Sequence, residues 1–401
     1  MEHAFWIEKR QALLEGLLEG DGLVLFAGKA PNKRGDEDYP FTPDRNFYYL
    51  TGIDRQEMVL YLEKTAQGNV ERLYIPPDNG QMARWIGANM TAEEATARSG
   101  IEDIRFLADW EREKQALSCK RLYLDQSRVD LTEEETKGSF FAGPVADCAP
   151  LLSQMRCIKT EAELSLMQEA MEITKEALTE LMKQAKPGRM EYELEAYFDF
   201  VLKKRGVKDR AFATIVASGQ NGTVLHYGQN DSQTKDGDLV LVDCGAQVGY
   251  YNGDITRTFP VNGRFSPRQK LVYDIVLGGQ KLVIDAIRPG VPYPSLNEML
   301  KEYYFEQLKE IGLVQTREEV FAYYFHNVSH FLGAQTHDVG DRSQLLQEGM
   351  VITVEPGLYI APWGIGIRIE DDVLVTKDGA KVLTEGLAKT TEEIEALMAG
   401  K

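Results

Sequence analysis

The sequence predicts an α+β fold for most of the chain, preceded by a smaller α/β domain. Two amphipathic helical patterns each end at a Pro-Gly pair, at Pro187-Gly188 and at Pro289-Gly290, and another amphipathic helix follows each pair. Hairpin-like apolar segments accompany both helical units, at 238–243 with 250–259 and at 349–354 with 366–375. This order of elements is typical of helices packed on one face of a largely antiparallel sheet.

A change in composition marks a domain boundary. Residues 144–150 are rich in Pro and Ala, and a long amphipathic helix follows, so we predict domains at 1–155 and 156–401. Helical stretches in the first domain alternate with short β-like runs, as in a small α/β domain. These runs are 23–26, 58–62, 72–75 and 121–124.

Capping patterns predict where two helices of the second domain begin. Thr160 with Glu163 and Ser266 with Gln269 have capping-box spacing. The residues expected on the apolar face of the first helix are Leu164, Met167, Met171, Leu178 and Met182. Those expected on the second are Leu271, Ile275 and Leu282.

The two Pro-Gly pairs lie 102 residues apart, a spacing that suggests an internal duplication of the second domain. Pro-Gly pairs are also common in the connections between helices of proteins without a duplication. From this signal alone, both interpretations stay open.

Net charge excludes several classes of partner. The 401 residues include 45 Lys and Arg against 63 Asp and Glu, a formal charge of −18. Such an excess repels nucleic acid and anionic lipid, and the apolar run 350–367 is interrupted by Glu355, Pro356 and glycines, so it does not predict a membrane span. The four cysteines form no C-x-x-C pair, so we expect a reducing, cytoplasmic location.

Four carboxylates stand where apolar strands end or begin. Asp243 ends the run 239–242, Asp254 lies in the return strand, Glu355 follows 351–354, and Glu370 ends an alternating run in which Arg368 shares its face. A hairpin centred near Gln247 would need a bulge near Gly253 to bring Asp243 and Asp254 together. Each acid alone is typical of a strand-end cap.

Four buried carboxylates close to one another need cations, because an uncompensated buried charge is costly. Two divalent metals would balance them in formal charge. Four of the five histidines fall in the second domain, at His226, His326, His330 and His337. The i, i+4 spacing of His326 and His330 fits one helical face, although strand or loop is also open. Oxygen donors with one imidazole favour manganese, cobalt or iron(II), and we interpret the pattern as a dinuclear hydrolytic centre.

Several segments together resemble the pita-bread metallopeptidases, and within them the Xaa-Pro aminopeptidase (aminopeptidase P) family. The segments run in the family's order: 240–245, 252–259, 329–333, 353–359 and 366–371. The first domain resembles the aminopeptidase P N-terminal domain at 38–41 and 46–52. The resemblance implies a pita-bread (creatinase/aminopeptidase) fold with a pseudo-twofold duplication.

The resemblance also implies a metal site and its ligands. Two divalent ions, manganese first, with cobalt, zinc or iron(II) as alternatives, would share a water or hydroxide, with Asp254 and Glu370 as the bridging ligands. The full ligand set is Asp243, Asp254, His330, Glu355 and Glu370.

The resemblance assigns the remaining roles as well. His226 and His337 match the histidines that contact substrate, His326 matches a further pocket residue, and Arg368 matches a partner of the metal carboxylates. Hydroxide would attack the carbonyl of an Xaa-Pro bond, His337 would stabilise the oxyanion, and Glu355 would carry the proton to the proline nitrogen.

The resemblance implies that the substrates are peptides with proline as the second residue. It also implies a homo-oligomer, either a dimer or a tetramer. Trp85 resembles a tryptophan that reaches a neighbouring subunit's site in some members. Prolidase, which shares the ligands but cleaves dipeptides, is the alternative; a non-catalytic peptide-binding module of this fold is a second. Creatinase shares the fold but lacks the metal ligands, so the complete ligand set in this sequence argues against it. Two departures from the family pattern, at 334–336 and 360–363, affect only local contacts.

Overall fold

The computed structural model describes residues 3–400. The chain divides into two compact units between Met155 and Arg156. The outermost residues of the two predicted domains, 1–2 and 401, lie outside the described range. No helix among the described residues is long and apolar enough to cross a membrane.

The first unit is built on a mixed six-stranded sheet. The strands of this unit are β1 Asp21–Phe26, β2 Asn32–Arg34, β3 Glu37–Asp38, β4 Val59–Thr65, β5 Gly68–Ile75, β6 Asp103–Phe106, β7 Arg121–Leu124 and β8 Val145–Asp147. The order in the sheet is β6-β5-β4-β1-β7-β8, and its central strand β1 is buried along its whole length. The β1–β4 and β4–β5 pairs are antiparallel, whereas β5–β6, β1–β7 and β7–β8 are parallel.

Short helices surround this sheet. They are α1 His3–Gly16, α2 Arg45–Thr51, α3 Ala83–Ile86, α4 Ala92–Ser99, α5 Leu107–Glu113, α6 Glu133–Lys137 and α7 Ala149–Cys157, the last of which contains the division at Met155. The α/β character expected of this unit is confirmed, and each of the four predicted β-like runs lies in one of its strands, except that Met58 precedes β4.

In its described part, residues 156–400, the second unit contains five α-helices and several short antiparallel sheets. The helices are α8 Glu161–Gln184, α9 Glu191–Lys204, α10 Pro267–Ala286, α11 Tyr293–Glu310 and α12 Thr391–Ala399. The strands are β9 Ile215–Ser218, β10 Leu239–Cys244, β11 Gln247–Val248, β12 Tyr251–Asn252, β13 Ile255–Pro260, β14 Val351–Val354, β15 Gly357–Ile360, β16 Ile365–Arg368, β17 Asp371–Thr376 and β18 Gly379–Val382.

Each half of this unit has a helix pair followed by an antiparallel strand pair. In the first half α8 and α9 precede the sheet β13-β10-β9, and in the second α10 and α11 precede the sheet β14-β17-β18. One apolar core, which includes Leu178, Phe198, Val242 and Ile352, packs both halves together. The helices therefore hold the central pairs β10–β13 and β14–β17 in fixed positions.

The predicted helix starts are confirmed. Thr160 with Glu163 and Ser266 with Gln269 form capping boxes, and the expected apolar face of α8 is buried. The face predicted for α10 is wrong in part, because Leu271 and Leu282 are exposed and the buried stripe runs through Val272, Val276 and Val283.

Candidate metal centre

The candidate site is a cavity of about 470 Å³ in the second unit. All the predicted site residues line it: Asp243, Asp254, His330, Glu355, Glu370, Arg368, His226, His326 and His337. Strands and loops from both halves of the unit contribute to this lining.

The four acids occupy corresponding places in the two halves. Asp243 is the penultimate residue of β10 and Asp254 immediately precedes β13. In the second half, Glu355 immediately follows β14 and Glu370 immediately precedes β17. Each central strand pair therefore delivers one acid from each of its strands to the same end of the sheet.

The predicted bulge near Gly253 is wrong. Asp243 pairs with Thr256 and Gln247 pairs with Asn252 in one continuous register, so the hairpin turns at Gly249-Tyr250 rather than at Gln247. Both turn residues have positive φ, of 54° and 67°, as a two-residue hairpin turn of type I′ requires. Because Thr256 faces the same way as its partner Asp243 and as Asp254 two residues earlier, no bulge is needed.

His330 lies at the centre of the carboxylates. Its Nε2 is 3.4 Å from Oδ2 of Asp254 and 3.6 Å from Oε1 of Glu355, and ligand atoms of Asp254, His330 and Glu370 all lie within 4.8 Å of one another. Its Nδ1 is 3.0 Å from the carbonyl oxygen of Phe331. Since a carbonyl only accepts, Nδ1 carries a proton, and Nε2 is the ring nitrogen directed at the acids.

His326 and His330 do not share a helix, contrary to one of the two interpretations left open. The chain from Val328 to Leu332 runs extended beside β14, where the amide of Thr353 donates to the carbonyl of His330 and Phe331 bridges Ile352. His326 lies before this extended segment, and both histidines line the cavity.

Arg368 neutralises only one of the acids. Its Nη2 donates to Oδ2 of Asp243 at 2.6 Å, its Nη1 donates to the hydroxyl of Tyr359 at 2.9 Å, and its Nε donates to Oγ1 of Thr256 at 3.2 Å. Thr256 in turn donates to Oε2 of Glu370 at 2.6 Å. The other oxygen of Asp243, Oδ1, is buried and accepts no hydrogen bond from the described residues.

The remaining acids are short of positive charge. Burial is the main effect that raises the pKa of Asp254 and of Glu370 well above the usual range, although Arg368 opposes it. The next effect is the charge of Asp243 for Asp254, and the charge of Asp254 for Glu370. Burial also raises the pKa of Glu355, against the lowering effects of His330 and Arg368. The protein therefore leaves these carboxylates undercompensated when they are ionised.

This arrangement fits divalent cations. Carboxylate oxygens and one imidazole nitrogen converge in the cavity. Oδ1 of Asp243 has no hydrogen-bond partner among the described residues, and the negative charge of the acids exceeds the nearby positive charge. Such a donor set suits manganese and related ions. The side chains that could hold the ions are Asp243, Asp254, His330, Glu355 and Glu370.

The other three histidines of the cavity differ in exposure and in their contacts. His226 and His337 are exposed at the rim; the His337 ring packs edge-on against His330 at 4.4 Å, and burial followed by the neighbouring His330 lowers the pKa of His337. Burial lowers the pKa of His326 to about 3. Nδ1 of His326 is 2.8 Å from the carbonyl of Asn327, and its Nε2 is 3.0 Å from the hydroxyl of Tyr359, so both its nitrogens are engaged within the protein.

Sequence reasoning assigned no role to Thr256 or Tyr359, although both touch Arg368. Thr256 could have been found, since it stands two residues after Asp254 and a strand repeats its facing every two residues. Tyr359 gives no such signal, because its hydroxyl meets Arg368 only when β15 pairs with β16.

Two protein-family models match different parts of the chain. The family described as "Metallopeptidase family M24" matches residues 165–377, and the family described as "Aminopeptidase P, N-terminal domain" matches residues 6–123. An Escherichia coli (strain K12) protein named Xaa-Pro aminopeptidase is 35% identical over an alignment that covers 97% of this chain and 96% of that protein.

Two solved structures are similar over the whole chain. The structure of a candidate aminopeptidase P from Bacillus anthracis has a TM-score of 0.96 at 43% identity, covering 100% of this chain and 99% of its own. Aminopeptidase P from E. coli with the inhibitor Pro-Leu has a TM-score of 0.93 at 32% identity, with the same coverage.

Proposed function

The chain belongs to metallopeptidase family M24, and on this premise we propose that it is a dinuclear Xaa-Pro aminopeptidase. It would release the N-terminal residue from peptides that have proline in second position. The observation that carries the proposal is the convergence of undercompensated buried acids around His330 in one open cavity. The relatives named Xaa-Pro aminopeptidase and the Pro-Leu inhibitor of the E. coli enzyme support the choice of substrate.

The side chains that would hold the two proposed ions are Asp243, Asp254, His330, Glu355 and Glu370. Manganese is proposed as the ion, with cobalt, zinc and iron(II) as alternatives. Bound there, divalent ions supply Lewis acidity, which lowers the pKa of water toward neutrality and makes a hydroxide nucleophile available. The Arg368 contact holds Asp243 in place and leaves its Oδ1 free for this purpose.

The protein side chains handle the proton and the substrate. Glu355 takes the proton that the attacking water releases and passes it to the proline nitrogen, which must be protonated before it can leave. His337 donates a hydrogen bond to the scissile carbonyl oxygen as negative charge builds on it. His226 also lines the cavity and contacts the bound peptide, and His326 supports the cavity lining through its contact with Tyr359.

Proline explains the need for an open site of this kind. Its tertiary amide lacks an N–H and its ring fixes φ, so a substrate held as an added strand would lose a hydrogen bond. Phe212, Ile215 and Leu225 give the cavity an apolar wall beside the histidines. An apolar wall accepts a pyrrolidine ring without requiring that hydrogen bond.

A peptide-length series tests the proposal. The protein is stripped of metal, supplied with Mn(II), and offered Xaa-Pro peptides of two to six residues. We expect release of the first residue from peptides of three residues and longer, and no release without added metal. Cleavage confined to dipeptides would identify a prolidase instead, and peptide binding without turnover in the metal-loaded protein would identify a binding module.

The same premise supports two further proposals. We propose a homo-oligomer, either a dimer or a tetramer, because Met82, Trp85 and Ile86 expose large apolar side chains on one short segment, with Trp85 83% exposed. We also propose a cytoplasmic location, because the four cysteines are all buried free thiols, which suit a reducing compartment.

A further inference from the structure

Gln280 is a polar residue on the buried face of α10. Its side chain is fully buried, and its neighbours along the helix face include Val276, Leu277 and Val283, which are also buried. An amide in such surroundings is unfavourable unless hydrogen bonds satisfy it. Its partners therefore indicate why a polar residue stands there.

The amide nitrogen of Gln280 contacts both strands that carry the glutamate ligands. Nε2 lies 3.2 Å from the carbonyl oxygens of Val354 and Ile369 and 3.1 Å from Oδ2 of Asp371, so its two N–H groups are shared among these three acceptors. Val354 immediately precedes Glu355, and Ile369 immediately precedes Glu370. One side chain thus ties together the backbones from which the two glutamates project.

Only one orientation of the amide is possible. All three partners are acceptors, so the nitrogen must face them. The amide oxygen Oε1 is buried and has no hydrogen-bond partner among the described residues. An unpaired buried oxygen destabilises the fold, so the gain from Gln280 must lie in what its nitrogen holds.

The strand pairing shows which backbone hydrogen bond would be missing without Gln280. Val354 pairs with Asp371 and Gly357 pairs with Arg368 in the same register, which places Pro356 opposite Ile369. The amide of Ile369 donates to the carbonyl of Pro356 at 3.3 Å. In an antiparallel ladder such a pair exchanges two hydrogen bonds, but proline has no N–H. The carbonyl of Ile369 therefore lacks its ladder donor, and Gln280 supplies one.

The same register places Glu355 opposite Glu370. This pair stands next to the hydrogen-bonded pair of Pro356 and Ile369, and alternate pairs in an antiparallel ladder lack direct hydrogen bonds and bring their side chains closest. Like charges directly opposite one another repel. The ladder is therefore weakest at the one place where two facing carboxylates push its strands apart.

We propose that Gln280 is a positioning residue of the metal centre, which replaces the hydrogen bond that Pro356 cannot donate and thereby sets the separation of Glu355 and Glu370. The inference rests on the proposed function, since it takes these glutamates as metal ligands. Gln280 acts from the side of the strands opposite the cavity and does not touch substrate or metal.

The test compares Gln280→Met with Gln269→Met in the full-length protein. Gln269 lies on the same helix and donates to the carbonyl of Gly237, away from the cavity. Mn(II) binding to the stripped proteins is measured from the electron paramagnetic resonance signal of free Mn(II), and thermal unfolding is measured without metal. We expect Gln280→Met to weaken Mn(II) binding about 10- to 100-fold, as the loss of an outer partner of metal ligands does. Gln269→Met should lower the unfolding temperature and leave binding within about twofold of wild type.

Rescue makes the test specific. Pro356→Ala restores a backbone N–H opposite Ile369, so the double variant Gln280→Met/Pro356→Ala should recover most of the lost Mn(II) affinity. Equal binding by Gln280→Met and wild type would overturn the proposal, as would a double variant that binds no better than Gln280→Met. If Gln280→Met alone does not fold, the double variant decides: recovery of folding together with tight binding supports the role, and any other result overturns it. Wild-type protein that binds no Mn(II) would instead refute the proposed function itself.

Discussion

Two groups of buried carboxylates lie side by side in the second unit and behave in opposite ways. Glu370 and Asp371 are consecutive residues and both are buried. Glu370 faces the cavity, where burial and nearby acids raise its pKa well above the usual range. Burial acts on Asp371 as well, but Arg257 and Lys389 outweigh it and lower the pKa of that carboxyl.

The difference lies in the partners that the fold supplies. Asp371 accepts from Arg257 at 2.8 Å, from Lys389 at 2.8 Å and from Thr384 at 2.7 Å. Glu370 accepts from the Thr256 hydroxyl, which brings no charge. Neighbouring acids of equal burial therefore separate into a protein-neutralised ion pair and a carboxylate that depends on a cation from outside.

The first prediction concerns Glu370, for which we expect the largest effect. Glu370→Gln should lower Xaa-Pro peptidase activity at least about 1,000-fold, because the loss of a direct ligand exceeds the ~100-fold typical of an outer partner. The same change should leave the metal-free protein as stable as wild type at neutral pH or make it more stable, since it removes an undercompensated charge. Peptide hydrolysis and thermal unfolding of the stripped protein measure the two effects. A metal-free variant that unfolds at a clearly lower temperature would contradict our account of the cavity.

The second prediction concerns the neighbouring acid. Asp371→Asn should lower the free energy of unfolding by about 3 to 5 kcal/mol, with or without metal, because it leaves Arg257 without its buried partner. Denaturant unfolding measures it. The matched control is Asp378→Asn, an exposed acid in the turn after β17, which should change stability by less than about 0.5 kcal/mol. Equal effects of the two changes would mean that the ion pair does not stabilise the fold.

The sequence predicts the cavity better than it predicts the ion pairs. Strand-end acids separated by apolar runs repeat in both halves of the unit, so Asp243, Asp254, Glu355 and Glu370 could be found from pattern alone. The fold class and the metallopeptidase family are confirmed. The roles of the individual site residues stay predictions, although the structure brings them to one cavity.

Contacts between residues far apart in the sequence account for most of the features that the sequence does not predict. Arg257 stands 114 residues from Asp371 along the chain, and Gln280 stands 91 residues from it. No local spacing relates such residues, because their contact depends on how β13, β17 and α10 pack. The hairpin error has a local cause: Tyr250 adopts a positive φ that its residue type does not predict, so the sequence alone indicates a turn that comes too early in the chain.

The third prediction separates the two kinds of acid by pH, with Asp338 as a second example of the paired kind. Asp338 lies beside Arg156 and Lys159, with side-chain distances of 2.6 and 3.3 Å, and these cations outweigh burial and lower its pKa. An acid with a lowered folded pKa stabilises the fold above its unfolded pKa, about 3.9, and that stability is lost as the pH falls further. The raised acids of the cavity act in the reverse sense, since the folded protein binds their protons more tightly.

Metal-free wild type should therefore gain stability as the pH falls from 7 toward about 5 and lose it below about 4. Mn(II) should abolish the gain, because bound cations keep the cavity acids ionised. Asp338→Asn should be the less stable protein at pH 7, and its loss of stability below about pH 4 should be shallower than that of wild type. Urea unfolding at each pH measures all three effects. A metal-free protein whose stability falls steadily from pH 7 to 5 would show that the cavity carboxylates are compensated within the protein after all, and the distinction between Glu370 and Asp371 would then disappear.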